Sequence, residues 1–179
     1  MKKIFTLTFL LALILIVASA HADWNPRDRE EEESAVKYTV DRFLRADPSL
    51  RTFVDKAYGY AVMPTVGKGA FILGVGYGKG WLFENGKEIG RVIITQLSAG
   101  AQIGGQTYSE IIFFRDMESV EKFKKGQFEL GAQVSAVAVT EGVGRASTYT
   151  DGVAVFILPK AGLMAEASVS GQRFDFEPF

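Results

Sequence analysis

The chain has 179 residues, 47% of them hydrophobic, with 20 Lys and Arg against 21 Asp and Glu, no cysteine and one histidine. Near charge balance argues against general affinity for nucleic acid, which needs a strongly basic surface. Without cysteine there can be neither disulfide staples nor thiolate nucleophiles or thiolate metal ligands.

The first 22 residues read as an export signal. Lys2 and Lys3 precede an apolar run of ten, Phe9 to Ala18, and Ala18-Ser19-Ala20 and Ala20-His21-Ala22 are small-x-small cleavage sites. The run is shorter than the roughly 20 residues that span a bilayer. The expected product is an exported domain, periplasmic or secreted, either free or peripheral to a membrane. The signal also carries His21, the chain's histidine. Its removal takes away Ser-His-Asp and Cys-His catalysis and histidine-ligated zinc within one chain.

Residues 23–46 form a polar acidic segment, with Glu30 to Glu33 in a row, followed by an amphipathic helix from Ser34 to Ala46 whose apolar positions are Val36, Val40, Phe43 and Leu44. Asp47 has the chemistry of an N-cap and Pro48 that of a first helical residue, so a second short helix follows, buried through Leu50, Phe53, Val54 and Ala57.

After Gly59 the period becomes strand-like. Tyr60 to Met63 reads as a short strand stopped by Pro64, and a Val66 to Gly69 loop leads into Gly69 to Phe83. There Gly74, Gly76, Gly78 and Gly80 alternate with Val75, Tyr77, Lys79 and Trp81, so the strand has one face of bare backbone and one of bulky side chains. Glycines in such register require close approach by a strand, a helix or a ligand, or else a sharp bend. Asn85-Gly86 predicts a two-residue hairpin. Gln96 to Gln106 is small and glycine-rich, and Tyr108 to Phe114 is a bulky strand. A third helix runs from a cap at Asp116 to Gly126, with Met117, Val120 and Phe123 on one stripe. Leu130 to Thr140 alternates imperfectly, and Val153 to Leu158 and Leu163 to Val169 form a last pair around Pro159 to Gly162. The expected fold is α+β: a strongly curved or partly closed antiparallel β-sheet with two N-terminal helices and one inserted helix.

Tyr77, Lys79, Trp81 and nearby Lys68 could meet a lipid headgroup interface, because Tyr and Trp carry one apolar side and one wet edge and lysine neutralises phosphate. The competing reading places Tyr77, Trp81 and Phe83 in the core. Gly74-Val75-Gly76 lacks the third glycine of a dinucleotide fingerprint, since position 79 is Lys, and no Gly-Lys pair has phosphate-loop spacing. Asp55, Glu84, Glu88, Glu110, Asp116, Glu141, Asp151 and Glu166 are scattered carboxylates, and spacing singles out no glycosidase pair. No cofactor or metal site is expected.

From Phe53 to Phe174 the chain resembles the SYLF domain family. The features are Lys56 to Pro64 (KAYGYAVMP), Gly74 to Gly80 (GVGYGKG), Gln102 to Gln106 (QIGGQ), Gly126 to Ala132 (GQFELGA) and Gly162 to Ala165 (GLMA), in that order. The resemblance extends over most of residues 47–179, taken here as the SYLF-like domain. It implies binding of membrane phospholipid without enzymatic activity. Eukaryotic members make lipid contact through a basic amphipathic N-terminus; here that place holds the export signal and Glu30 to Glu33, so phosphoinositide specificity and actin binding are not carried over. The expected function is a non-catalytic envelope protein that binds anionic phospholipid or another amphiphile. The alternatives are a structural or protein-interaction domain and a carboxylate-based hydrolase.

Overall fold

A computed structural model describes residues 26–127, 129, 130 and 136–179. The export signal and part of the alternating stretch from Leu130 to Thr140 lie outside the described residues. The chain divides into two units, Met1–Glu31 and Glu32–Phe179. The described part of the first is the opening of a helix. No helix among the described residues is long and apolar enough to cross a membrane.

Helix α1, Pro26–Ala46, begins eight residues earlier than the periodicity from Ser34 predicts. Glutamate is a good helix former, and Pro26 sets the backbone angle for a first turn, so the acidic run is helical rather than a linker. Val36 and Phe43 are buried. Asp47 caps as expected: its Oδ1 accepts from Ser49 N at 3.0 Å and Ser49 Oγ at 2.7 Å. The cap opens a 3-10 turn, Pro48–Leu50, continued by α2, Arg51–Lys56.

Three long strands replace the short ones that the sequence pattern suggests. Strand β1 runs over Gly59–Glu84, β2 over Lys87–Phe114, and β5, after the elements below, over Val153–Pro178. Pro64 does not stop β1. It sits where the register with β2 shifts between Met63 and Val66, a bulge in which its missing N–H is not needed, and its carbonyl accepts from Ser109 Oγ at 2.7 Å. The small residues from Gln96 to Gln106 likewise continue β2, and Pro159 to Gly162 lies within β5 rather than at a hairpin tip. The turn at Asn85-Gly86 is as predicted: both residues have positive φ (50° and 76°), and Glu84 pairs with Lys87.

Helix α3, Met117–Lys124, is capped by Asp116, whose Oδ1 accepts from Ser119 N at 2.9 Å. Short strands β3, Glu129–Leu130, and β4, Val137–Ala138, and a one-turn helix α4, Val143–Ala146, follow; α4 has no counterpart in the sequence periodicity. The sheet order is β1-β2-β5-β3, with β4 parallel to β5 and the other pairings antiparallel. β3 and β4 each pair with a stretch of β5's outer edge.

The three-stranded ribbon doubles back on itself. Val62 and Gly80 are eighteen residues apart in β1. A straight strand would separate them by about 60 Å at roughly 3.3 Å per residue. Instead a Cβ placed on Gly80 would lie 1.9 Å from the Val62 carbonyl oxygen, and one on Gly78 would lie 2.8 Å from that of Thr65. The first half of β1 therefore rests on the glycine face of its second half. Between the halves lies an apolar cluster that includes Met63, Val66, Leu82, Ile94, Ile112 and Phe174, closed by Val120 and Phe123 of α3. On the opposite side of the sheet, Val36, Phe43, Leu50 and Phe53 of the N-terminal helices cover Trp81, Phe83, Phe113 and Phe156.

Gly80→Ala should cost at least about 2 to 3 kcal/mol, because the new methyl meets backbone that cannot swing away. Gly69→Ala, where nothing lies within 4 Å of the added carbon, should change stability by less than about 1 kcal/mol. Urea denaturation of both variants checks this; equal effects would mean that the two halves of β1 are not in contact.

Candidate functional site

Past the bend, β1 presents its bulky face to solvent. Leu73 is 69% exposed, Val75 59% and Tyr77 50%, and on the neighbouring strand Leu97 is 63% exposed. These are adjacent: Val75 pairs with Leu97, Leu73 with Ala99 and Tyr77 with Thr95. Exposed Lys79 follows on the same face, paired with Ile93. The usual assignment of faces is inverted here. Close packing of the two halves of β1 admits only glycine inside, so side chains at the alternate positions must point outward. Large apolar residues gathered on one exposed face are the mark of an interaction surface, whereas scattered ones are ordinary.

The residues singled out from sequence separate into two groups. Tyr77 and Lys79 lie on this exposed face. Lys68, 4% exposed, and Trp81, 1% exposed, are buried and cannot line it. Lys68 follows Val66 with the same facing, toward the inside of the folded ribbon. Trp81 is held in the other core, where its indole Nε1 donates to Glu32 Oε2 at 3.1 Å and Phe179 meets it edge-on at 4.9 Å. Arg91 Nη2 donates to the same oxygen at 2.8 Å, so one glutamate of the acidic run fastens α1 to the sheet. Gly74, Gly76, Gly78 and Gly80 are all buried, and the carbonyls of Gly67, Thr65 and Val62 approach the last three. The glycine face is packed interior, not a groove. Leu73 and Leu97 were not singled out from the sequence. The signal available was the glycine series itself: a face of bare backbone cannot make a side-chain core, so the opposite face has to serve as the outside.

Inside the fold, beyond Ile94, the lining turns polar. Tyr108 Oη donates to Gln96 Oε1 at 2.9 Å, and Gln172 Nε2 donates to Tyr108 Oη at 3.2 Å and to Glu110 Oε2 at 3.1 Å. Glu110 is fully buried, and Glu110 Oε1 and Gln172 Oε1 have no hydrogen-bond partner among the described residues. Burial pushes the Glu110 carboxyl up from 4.5 to about 8, against the opposing pull of the Gln172 hydrogen bond. Other carboxylates have structural partners: Glu84 accepts from Tyr58 Oη at 2.8 Å and pairs with Lys124, and Asp116 caps α3. Among the described residues no group of three or more His, Cys, Asp or Glu could hold a metal ion.

Residues 95–177 match the family model described as Ysc84, Las17-binding protein actin regulator. That stretch takes in the β2 side of the exposed face and the Tyr108, Glu110 and Gln172 cluster. Among curated proteins, beta cell expansion factor A of Aeromonas veronii is 30% identical over 156 residues, which is 84% of this chain and 59% of that protein. The chain thus spans about three-fifths of that relative's length.

The Glu110 carboxyl generates a pH prediction. Its folded value lies above its unfolded one, so the folded state holds a proton that the unfolded chain releases between pH 4.5 and about 8. Stability is full below that window and falls as pH rises through it, by on the order of a few kcal/mol. Glu110→Gln, neutral throughout, should match the wild type in melting temperature near pH 5 and exceed it by several degrees at pH 8.5. Parallel melting profiles across that range would show that Glu110 ionises in contact with water.

Proposed function

We propose, since residues 95–177 match the Ysc84 (SYLF) family model, that this chain is an exported, non-catalytic domain that associates with membrane lipid in the cell envelope through the exposed face of β1 and β2. The observation that carries the reading is the cluster of Leu73, Val75, Tyr77 and Leu97, each at least half exposed, with Lys79 beside it. Apolar side chains of this size gain free energy on leaving water for the acyl boundary of a bilayer, Tyr77 suits the headgroup level, and Lys79 meets phosphate. The lipid-facing surface in this reading is the bulky face of the strand, because the glycine face is already filled by β1's own carbonyls. The apolar start of the chain and its cleavage sites support export.

A second reading is favoured by that same filled glycine face, which offers no groove for an amphiphile. The domain would then be a protein-interaction module of the envelope, using the exposed apolar face to dock a partner, in keeping with a family described by binding to a protein. Association with bilayers separates the two.

The protein lacking its first 22 residues should pellet with vesicles containing anionic lipid at low salt and less completely at moderate salt. The double variant Val75→Asp, Leu97→Asp should stay in the supernatant while keeping its melting temperature, since both positions are more than half exposed. Failure of the unaltered protein to pellet with anionic or neutral vesicles would end the lipid reading and leave the protein-docking one.

A further inference from the structure

A cleft of about 440 Å³ opens between the 3-10 turn and α2 on one side and α4 with the segment after it on the other. Its volume falls in the range that takes small organic molecules. Phe53 and Tyr149 form an apolar lining, their rings 5.2 Å apart and tilted at 58°. Around them stand Lys56 and Arg145, both exposed, and the hydroxyls of Thr52 and Thr148. Neither cation forms an ion pair among the described residues.

The carboxylate beneath is already engaged. Asp47 is 1% exposed, and its Oδ2 accepts from Gly144 N at 2.7 Å while its Oδ1 holds Ser49. Burial alone would raise its pKa, but the hydrogen bonds from Gly144 and Ser49 outweigh that and hold it below the usual carboxylate range. It therefore stays ionised and fixes both walls of the cleft through backbone N–H groups, without reaching the two cations at the rim. Arg115 adds positive potential, acting on the Tyr149 hydroxyl against the upward effect of burial, although Asp116 partly neutralises it.

Two cations that form no ion pair among the described residues, beside hydroxyl donors and two aromatic rings, form a receptor for an anion attached to an apolar body. We infer that this cleft is a binding subsite for a phosphate monoester, with Lys56 and Arg145 on the phosphate oxygens, Thr52 and Thr148 donating to them, and the carbon skeleton against Phe53 and Tyr149. The guanidinium fork can take two oxygens of either group, and a phosphate monoester has a third left for the ammonium where a carboxylate has none. The ester could be soluble in the compartment or the headgroup of a membrane lipid. The site uses none of the residues of the exposed sheet face, so it stands or falls separately from the reading above.

The test is an NMR titration of the protein lacking its first 22 residues, at low salt, with sn-glycerol 3-phosphate, inorganic phosphate, benzoate and dihexanoyl phosphatidic acid below its micellar concentration. The expected result is saturable shifts at the Thr148 and Tyr149 amides with glycerol phosphate and the short-chain lipid, and at least tenfold weaker binding by the Lys56→Ala, Arg145→Ala double variant. Both replaced side chains are exposed, so that variant should keep its melting temperature, and Val75→Asp, Leu97→Asp should bind as the wild type does. Tighter binding of the short-chain lipid than of glycerol phosphate points to a headgroup, and equal binding to a soluble ester; both support the site. It is overturned if the unaltered protein shows no saturable shift with either ester, if the double variant binds as tightly, or if benzoate binds as well as they do.

Discussion

The structure depends on contact between two halves of a single strand. β1 can return to itself only if the face that receives Val62, Thr65 and Gly67 carries no side chains, and Gly76, Gly78 and Gly80 meet that condition. Glycine in a strand interior is unfavourable by about 0.5 to 1 kcal/mol relative to alanine. Three or four such positions together cost several kcal/mol, a substantial fraction of the roughly 5 to 15 kcal/mol that separates folded from unfolded domains. That cost is offset by the cluster the fold-back creates, where Met63, Val66, Leu82, Ile94, Ile112 and Phe174 are each less than 1% exposed. At roughly 1.5 to 3 kcal/mol per fully buried side chain, these six exceed the cost of the glycines.

The same contact fixes the character of the two faces. Near α3 the space between the halves is wide enough for Phe123 and Phe174, whose rings are 5.1 Å apart. Where the strand halves touch, the second half of β1 turns only glycine inward, and the inward polar residues are Lys68 of its first half with Gln96, Ser98, Tyr108, Glu110 and Gln172 of β2 and β5. A polar layer there holds the strands through side-chain hydrogen bonds where apolar packing is thin, and it includes an acid kept neutral by burial over much of the physiological range. Partly satisfied polar layers are costly in a low dielectric, so the Glu110 and Gln172 oxygens that have no partner among the described residues carry a desolvation penalty.

Local chemistry was legible in the sequence and tertiary closure was not. The caps at Asp47 and Asp116, the Asn85-Gly86 turn and the burial of Val36, Phe43, Val120 and Phe123 all follow from spacings of a few residues and stand where expected, whereas Met117, assigned to the α3 stripe, is 59% exposed at the helix's first turn. The strand ends were misplaced because Pro64, the glycines after Gly100 and Pro159 punctuate short strands in flat sheets, whereas in a bent ribbon the same residues supply bulges and curvature. Tyr77 and Trp81 show the limit most directly. They share a face by alternation, yet Trp81 is packed under α1 through Glu32 while Tyr77 is half exposed, a difference that alternation alone does not carry.

On the proposed reading, the magnitude of the exposed face determines what kind of association it can support. Leu73, Val75, Tyr77 and Leu97 are already between about a third and a half covered. Completing their burial is therefore worth on the order of 4 to 7 kcal/mol in all, from roughly 1.5 to 3 kcal/mol per side chain. That is about what one myristoyl chain supplies, an anchorage that is reversible by itself and becomes stable only with a second attraction. Lys79 adds about 1 kcal/mol against an anionic surface. A sheet face of this size therefore suits a domain that samples a bilayer and leaves it, and residence would lengthen wherever a second contact engages at the same time.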